Sequence, residues 1–573
     1  MKTRDIATLI LALAVLCLPS VTEAQVDKRV EVTKDYEPVV TGAMKLPIVP
    51  DMADTVKMRP EIDYTITPLM YSTELVTAHS FNPAKVTYWD FNRPTTFYLK
   101  LGVGYPVNTV GDFFISTHNV RTGYLMAAAT HYGELGARDN GFGDNRNATQ
   151  AVTRGRVAGG VYVGKRMFEG ELAYGDCTGR RFAAPSVIDA ATQYPTPSAE
   201  YEDFTLKLRF GDDFVDLSRT NFNIDFSGSF FHDKSDRIME SVPKLHQFDF
   251  GVSGRVGRNF GRHYLEADLR YAGMRGVKDL KDSKDDTVWA GLRYGYNSET
   301  VGVFVGADYC FDKSDRAHHY VLPYAKLHFN ITNNDSVIPF VELEGALQSN
   351  DYYSLARHSV YVDYTGDMVS LPNTLSYDLR FGIEGKLGRG RFSYRLYAGW
   401  AFESDALYWY TYNYEWLRAV AARRDVFTLN LEAEYRPIDQ LIISAGIHGR
   451  FFKEYGELNE VELKGAESPL EGVLKLRYAH KKFSVGASAR VGGAAEWTNV
   501  SYPYDSAGQP SVGAYSADRM PAYVDVGVDF EWNVKSDWRI FVEGSNLANM
   551  HIYNIGYFRE QGIRFTAGFK FTF

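Results

Sequence analysis

The stretch that decides the fold is the carboxyl end of the chain, Gly562-Ile-Arg-Phe-Thr-Ala-Gly-Phe-Lys-Phe-Thr-Phe573. Apolar side chains occupy the odd positions from 563 to 573, and polar or small residues occupy the even positions from 562 to 572. A period of two residues predicts a β-strand with one apolar face and one polar face. The stretch is longer than most strands of soluble proteins and suits a tilted strand that crosses a bilayer, which needs about 9–11 residues.

Alternation of this kind recurs from about residue 95 to the carboxyl end. One face of each segment is apolar, and the other carries charged or small residues such as Lys207, Arg209 and Asp225. Charges on the polar face are expected when that side of the sheet lines an aqueous lumen. Clear apolar faces run over residues 97–105, 204–210, 222–230, 248–256, 265–271, 375–383, 392–400, 427–435 and 524–532. Weaker alternation occurs at 110–118, 122–132, 151–163 and 483–491.

The connections between these segments are sorted by length. Short joints occur near residues 163–168, 257–262, 296–300, 332–336, 387–391, 436–440, 479–482 and 533–537. Longer joints lie near 132–151, 177–201, 232–246, 274–286, 346–373, 402–424, 451–470, 490–521 and 545–562. Short turns on one side and long loops on the other are typical of outer-membrane barrels. The last strand of such a barrel ends in the periplasm, so the short turns are predicted to be periplasmic and the long loops extracellular.

We therefore predict an all-β protein, a transmembrane antiparallel β-barrel of about 22 strands (range roughly 18–22). The sheet must close on itself, because lipid offers no hydrogen-bond partners to amides at an open edge. The predicted location is the cell outer membrane, with the N- and C-termini in the periplasm. Outer-membrane lipid is then a predicted partner of the barrel wall.

The sequence divides into three regions. Residues 1–24 are predicted to be a secretory signal peptide, because a basic start, a short apolar run and a small-residue cleavage site follow in order. A membrane-anchor helix is disfavoured, since the run is shorter than the roughly 20 residues that a span needs. Residues 25–94 are a proline-rich periplasmic segment, either a disordered leader or a strap that inserts into, or lies under, the barrel. Residues 95–573 are the outer-membrane β-barrel.

Composition limits the partners. A net charge of −9 argues against binding to nucleic acid. Two cysteines, Cys177 and Cys310, follow the predicted signal peptide, and the sequence leaves open whether they form a disulfide.

Near the carboxyl end, the chain contains Asn546-Leu-Ala-Asn549, then Tyr553 and Tyr557, and then Glu560-Gln-Gly-Ile-Arg-Phe565. This stretch resembles the closing hairpin of TonB-dependent receptors, in which Asn-Leu-x-Asn, a tyrosine-bearing loop, Pro-Gly-Arg and a final strand ending in Phe follow in order. The resemblance implies an outer-membrane barrel of about 22 strands, in agreement with the strand count from periodicity, and it implies a role in transport.

The chain also departs from that family. Gln561 stands where the family has proline, and Ile563 intervenes before Arg564. The family carries a globular plug ahead of the barrel, whereas residues 25–94 are few and rich in proline. The sequence therefore predicts a receptor-like barrel that lacks a recognisable plug domain.

The most prominent candidate for binding is an aromatic run in a predicted extracellular loop. Tyr408, Tyr410, Tyr412, Tyr414 and Trp416 share one face if the hairpin continues above the membrane. Such a face can stack on sugars or pack against a partner protein. The alternative is an interfacial girdle combined with loop packing.

Two other groups are predicted to be solvated loop residues. His318 and His319 are adjacent, so on a strand they would point to opposite faces and form a poor metal pair. The charged stretch Lys278–Asp286 lacks the spaced oxygen ligands and the turn glycine of a calcium loop.

Same-face carboxylates form the pairs Glu342/Glu344 and Glu432/Glu434. Paired carboxylates can act as an acid and a base, but here they are predicted to line the lumen. Their predicted partners are arginines of neighbouring strands, namely Arg380, Arg395 and Arg450. We predict no catalytic residues, no metal and no cofactor, and the protein is not expected to be an enzyme.

Two functions remain open at this stage. In the first, the barrel takes part in transport or binding of a substrate at the cell surface. In the second, it is an occluded barrel that acts as a structural or assembly subunit of an outer-membrane complex. A surface lipoprotein or a periplasmic protein is the partner expected in either case.

Overall fold

The computed structural model describes residues 96–117, 122–139, 145–180, 198–214, 216–235, 244–298, 300–314, 317–332, 334–359, 361–362, 371–412, 416–454, 457–458, 461–462, 468–501 and 514–573. The predicted signal peptide and the proline-rich segment 25–94 lie outside these residues, so the three-region division stays a prediction.

The described residues form thirty strands, a 3₁₀ turn at Lys278–Leu280 and the helix α1 (Tyr352–His358). The strands are β1 (Phe97–Tyr105), β2 (Asn108–Ser116), β3 (Gly123–Glu134), β4 (Ala137–Asp139), β5 (Asn145–Asn147), β6 (Gln150–Val163), β7 (Arg166–Arg180), β8 (Ser198–Gly211), β9 (Asn221–Asp233), β10 (His246–Phe260), β11 (His263–Val277), β12 (Lys284–Asn297), β13 (Val301–Asp312), β14 (His318–Phe329), β15 (Ile338–Gln348), β16 (Thr374–Leu387), β17 (Phe392–Tyr412), β18 (Trp416–Ile438), β19 (Leu441–Glu454), β20 (Glu457–Leu458), β21 (Val461–Glu462), β22 (Leu470–Ala479), β23 (Phe483–Gly492), β24 (Ala495–Ser501), β25 (Ala514–Met520), β26 (Tyr523–Asn533), β27 (Trp538–Ser545), β28 (Tyr553–Ile555), β29 (Phe558–Arg559) and β30 (Arg564–Thr572).

Twenty-two of these strands form one closed antiparallel barrel, and the short pairs β4–β5, β20–β21, β24–β25 and β28–β29 belong to connections between barrel strands. Each barrel strand pairs with the barrel strands before and after it in the chain. The ring closes where β1 pairs with β30, with Tyr98 opposite Thr572 and Tyr105 opposite Phe565. The prediction of a barrel of about 22 strands is confirmed, and each of the four weakly alternating segments overlaps a barrel strand, namely β2, β3, β6 or β23.

The two faces of the wall differ as the alternation predicts. Large apolar side chains cover the outer face, and Leu292 is the most exposed of those near mid-strand, at 69%. Its chain neighbour Arg293 lies on the inner face, where it forms ion pairs with Asp268 and Asp308. Lipid must therefore solvate the outer face, because this much exposed apolar surface is incompatible with water. The interior is polar, so the fold is a transmembrane barrel.

The two rims also differ. Short turns join most strands at the rim that contains Phe573, which is the periplasmic rim. The opposite, extracellular rim carries longer connections that include α1 and the short strand pairs, apart from the tight turn between β1 and β2. One predicted long loop is mostly strand, because β17 and β18 have 21 and 23 residues and continue as a hairpin beyond the barrel. A register shift between Glu403 and Ala406 marks the point where this hairpin departs from the regular wall.

Cys177 lies on β7 and Cys310 lies on β13, and no disulfide joins them. Among the described residues, no α-helix has the length and apolar character required to span a bilayer.

Candidate functional site at the extracellular mouth

A folded connection between β15 and β16 covers the extracellular mouth. We call its described residues, 349–359, 361–362 and 371–373, the lid. Its helix α1 begins after Asp351, whose carboxylate accepts a hydrogen bond from the Ser354 backbone N–H at 2.7 Å. Aspartate is a favourable N-cap because it satisfies an amide that has no partner inside the helix. Burial raises the pKa of Asp351 above its usual value, although the cap hydrogen bonds oppose that rise.

Two asparagines fix the base of the lid. Asn350 donates through Nδ2 to the Pro372 carbonyl at 2.6 Å and so ties the two ends of the lid together. Asn373 donates through Nδ2 to Asp285 at 3.2 Å and to Asp312 at 3.1 Å. Because these aspartates belong to β12 and β13, the base of the lid is bound to the barrel wall.

One side of the lid packs against the tops of β9 and β10. The ring of Tyr353 lies 5.3 Å from that of Phe231 on β9. The backbone N–H of Tyr353 donates to the side-chain oxygen of Gln247 on β10 at 3.3 Å. The Tyr352 hydroxyl lies 2.9 Å from that of Ser283, just before β12. Aromatic packing and hydrogen bonds therefore attach the start of the lid to this wall.

The end of α1 and the residues that follow it reach the other side of the mouth. Tyr361 stacks on Phe558 of the last extracellular connection, with ring centroids 3.7 Å apart and planes 8° apart. His358 stacks on Trp409 of β17 at 4.2 Å. Phe558 lies between the last two barrel strands, on the far side of the ring from β9 and β10. The lid therefore bridges the mouth rather than lying along one wall.

The extended β17–β18 hairpin supports the lid from one side. We call its residues 405–412 and 416–424 the pillar. Leu407, Trp409 and Leu417 belong to the same apolar cluster as the lid residues Tyr352 and Leu355. On the opposite face of the pillar, the β24–β25 hairpin packs against it, and Thr411 pairs with Asn499 of β24 in parallel. Both faces of the pillar are therefore covered.

The structure places part of the predicted aromatic set inside this packing. Tyr408 and Tyr410 share a face, as predicted, but they are only 3% and 7% exposed and pack against Val500 of β24. Trp416 is partly exposed, whereas Tyr414 and the side chain of Tyr412 lie outside the description. Burial of the first two rings favours the loop-packing alternative in this conformation, and a binding role for the set stays a prediction.

Below the mouth, the inner wall carries a network of arginines and carboxylates. Arg293 donates to Glu266 at 3.2 Å and to Asp308 at 2.9 and 3.0 Å, and it also contacts Asp268. Arg270 reaches Asp308 at 2.5 Å. A recess of about 420 Å³ is lined by Glu266, Asp268, Arg270 and Arg293 of this network together with Arg209, Asn223, Asp225 and Arg255. Because most of these charges are paired, this part of the inner wall is polar but has little net charge.

The predicted glutamate–arginine contacts are confirmed for Glu342. Its carboxylate pairs with Lys326 at 2.9 Å and with Arg395 at 3.1 Å, and Arg380 lies 4.0 Å away. Glu432 instead accepts a hydrogen bond from Asn430 at 3.1 Å. Glu434 pairs with Arg436 at 2.7 Å. The guanidinium of Arg450 lies 5.1 Å from the Phe452 ring.

The structure agrees with only one of the two groups of residues that were predicted to be solvated, namely His318 and His319. His319 is exposed and His318 is partly buried at the start of β14, and each contacts a different tyrosine, as expected for opposite faces. The prediction for Lys278–Asp286 is wrong in part. Leu280 is buried in the cluster beneath the lid, and Asp285 is buried where it accepts the hydrogen bond from Asn373.

One group of carboxylates could be considered for a metal. Asp176, Glu200 and Glu202 lie close enough together to share an ion. However, Lys234 already contacts Glu202, and the Tyr174 hydroxyl donates to Glu202 at 3.1 Å. Because Lys234 already pairs with Glu202, we assign no metal to this group.

The lid leaves almost no signal in the sequence. The only local signal is Asp351 three residues before Ser354, which matches an N-cap, but a helix of seven residues is too short to show a clear apolar period. Gln247 and Phe558, which hold the two sides of the lid, carry no sequence signal because their partners are distant in the chain.

No protein-family model matches the sequence, and no curated protein matches it. Solved structures do match. The FrpB iron transporter from Neisseria meningitidis has a TM-score of 0.63 at 13% identity, over 84% of this chain and 83% of that one. The siderophore receptor PirA from Acinetobacter baumannii has a TM-score of 0.61 at 9% identity, over 83% of this chain and 80% of that one. The copper transporter OprC has a TM-score of 0.59 at 15% identity, over 83% and 80%.

At these identities the similarity concerns the fold alone. The chain therefore has the 22-stranded transmembrane barrel fold of the outer-membrane TonB-dependent receptors.

Proposed function

We propose that the protein is an outer-membrane receptor that binds a substrate at the cell surface and takes part in its transport across the outer membrane. The observation that carries the proposal is the lid, which bridges the extracellular mouth above a polar recess. A structure of this kind controls access to a lumen. We propose no catalytic role for it.

The lid is built in a way that suits controlled access. Its base is fixed to the wall through Asn350 and Asn373. Its far end is held by two ring stacks, His358 on Trp409 and Tyr361 on Phe558. Aromatic pairs contribute only about 0.5–1.5 kcal/mol each beyond the area they bury. The Leu417 backbone N–H also donates to the Tyr361 carbonyl at 2.9 Å, and Leu355 and Val362 are buried at this end. Release of the far end therefore requires free energy from substrate binding, while the base stays in place.

The fold favours substrate transport over a structural role. The structural neighbours are described as an iron transporter, a siderophore receptor and a copper transporter. We propose only that the substrate is a solute small enough to pass beneath the lid and polar enough to contact the ion-paired inner wall.

The test is to lock the lid. Val362 forms a parallel bridge with Leu417 of the pillar, and bridged residues are close enough for a disulfide. The double variant Val362→Cys/Leu417→Cys, with Cys177 and Cys310 replaced by alanine, should close the lid when oxidised and release it when reduced. The matched control carries the two alanines alone. Probes are a ferric catecholate, a ferric pyoverdine and Cu²⁺, and the signal is tryptophan fluorescence, because Trp409 lies in the lid contact.

If the proposal holds, at least one probe binds the control and the reduced variant, and oxidation lowers its association rate by at least tenfold. The proposal fails if no probe binds and if material extracted from native membranes contains partner proteins but no retained solute. That combined result would favour the structural subunit of an outer-membrane complex.

A further inference from the structure

The periplasmic rim is unevenly charged. On one side of the barrel, four successive turns contain seven lysine or arginine residues and two aspartates. We call these turns the basic arc, which comprises residues 386–391, 436–440, 480–482 and 533–537. The turns on the other side contain five basic and five acidic residues, over 117–122, 163–166, 211–220, 260–263, 297–300 and 329–337. The excess of positive charge is therefore confined to one sector of the rim.

Hydrogen bonds between neighbouring turns hold the basic arc together. The Arg436 backbone N–H donates to the Arg391 carbonyl at 2.7 Å, and the Arg391 guanidinium donates to the Pro437 carbonyl at 3.3 Å. Further along, Asn533 donates through its backbone to the Lys482 carbonyl at 2.8 Å and through its side chain to the Lys481 carbonyl at 3.0 Å. The arc is thus an ordered surface of successive turns.

Most of the basic side chains in the arc are available to a ligand. Lys386, Arg389, Lys481, Lys482 and Lys535 are all exposed. Within the part of the chain that the structure describes, none of the five has a carboxylate at ion-pair distance. Positive charges gathered without such partners attract an anionic ligand, particularly at low ionic strength.

The surroundings of the arc indicate the ligand. Exposed apolar side chains of the outer wall stand directly beside the basic residues, namely Leu387, Tyr435, Ile438, Trp532 and Val534. Aromatic side chains of this kind mark the level where acyl chains meet headgroups. An acidic protein would meet the same positive charges but would have to share this surface with the lipid that the apolar side chains require.

We propose that the basic arc binds the headgroup phosphates of anionic glycerophospholipids in the periplasmic leaflet of the membrane. The basic side chains contact the phosphates, and the adjacent apolar ring contacts the acyl chains. The barrel would then carry an ordered patch of anionic lipid on one side only. This inference does not depend on the substrate of the receptor.

The test measures lipid affinity directly. The full mature chain in a nonionic detergent is titrated with fluorescent phosphatidylglycerol and, separately, with fluorescent phosphatidylethanolamine at low salt. The test variant is Arg389→Gln/Lys481→Gln/Lys482→Gln. The matched control is Lys165→Gln/Arg262→Gln, which removes exposed basic residues from turns outside the arc. Migration with and without heating shows that each variant remains folded.

Each basic residue near an anionic surface contributes about a fivefold change in affinity. We therefore expect the wild-type barrel to prefer phosphatidylglycerol, the triple variant to lose at least tenfold of that affinity, and the control variant to keep it. High salt should weaken only the interaction with phosphatidylglycerol.

Equal affinity of the wild type for both lipids overturns the proposal, as does a triple variant that still binds phosphatidylglycerol like the wild type. An equal loss in the control variant would show that the attraction belongs to the whole rim, which also overturns it. A wild-type barrel that binds polyglutamate but shows no preference for phosphatidylglycerol would reassign the arc to an acidic protein.

Discussion

Replacing Arg564 with methionine should destabilise the barrel by about 3–5 kcal/mol, which is the usual cost of leaving a buried charge without its partner. Arg564 begins the last strand, and its guanidinium contacts the Glu134 carboxylate at the top of β3. It also donates to the Tyr132 hydroxyl at 2.7 Å and to the Ser545 hydroxyl at 3.0 Å.

The magnitude follows from the burial of this group. The side chains of Arg564 and Glu134 are only 10% and 13% exposed, so solvent cannot replace the missing charge. The contact also crosses the seam of the barrel, since the short hairpin β1–β2 is the part of the wall that separates β3 from β30. Loss of Arg564 therefore removes a link between the two ends of the sheet and also leaves the Glu134 carboxylate in a poorly solvated place.

The assay is a reversible urea titration of the barrel in lipid vesicles, followed by tryptophan fluorescence, with heat-dependent migration as a check on folding. The matched variant is Glu134→Gln, and the double variant completes a thermodynamic cycle. Arg564→Met/Glu134→Gln should be more stable than Arg564→Met alone, because the uncompensated carboxylate is gone. If Arg564→Met lies within 1 kcal/mol of the wild type, or if the two changes simply add, the buried ion pair does not have the role assigned to it.

Three other changes test separate parts of the structure. Leu292→Arg places a charge on the outer face near mid-strand and should cost about 2–4 kcal/mol in the same titration, whereas Leu292→Ala should cost clearly less, and equal costs would contradict a lipid-facing position. Tyr408→Ala removes a buried ring between the pillar and the β24–β25 hairpin and should cost about 3–5 kcal/mol locally, seen as faster proteolysis of residues 495–520, and an unchanged rate would contradict the packing. The raised pKa of Asp351 means that its carboxyl stabilises the closed lid most at low pH, and this contribution is lost as the pH rises through the folded pKa. Amide hydrogen exchange in α1, after correction for the intrinsic pH dependence of exchange, should therefore show more frequent opening of the lid as the pH rises. The variant Asp351→Asn keeps a good N-cap and should remove that dependence. The same pH dependence in Asp351→Asn would exclude this carboxyl as its source.

Much of the barrel could be predicted because the relevant signal is local. Each strand faces lipid on one side and a polar lumen on the other, so the alternation seen from Ile563 to Phe573 is repeated around the wall. The weakly alternating segments near 122–132 and 483–491 also form barrel strands, β3 and β23, because a closed sheet requires every segment of the wall to be paired. The lengths of the connections also distinguish the two rims, because periplasmic turns are short and extracellular loops are long.

The contacts at the mouth could not be predicted in this way. The aromatic face of Tyr408 and Tyr410 was correctly inferred, but the partner that covers it, β24, lies almost ninety residues further along the chain. Burial of Asp285 depends on Asn373, in another connection. A loop residue with a distant partner shows no periodicity, so its burial is invisible to any local pattern.

Alternation and loop spacing are therefore enough to predict the class of fold, the approximate number of strands, the orientation of the wall and the polarity of the lumen, because each strand must face lipid outside and water inside. Only the folded chain shows that the lid crosses the mouth, and that Arg564 reaches Glu134 across the seam. Those features arise from side chains brought together by closure of the ring, where the free energy comes from packing and ion pairing between distant segments rather than from any preference of the segments themselves.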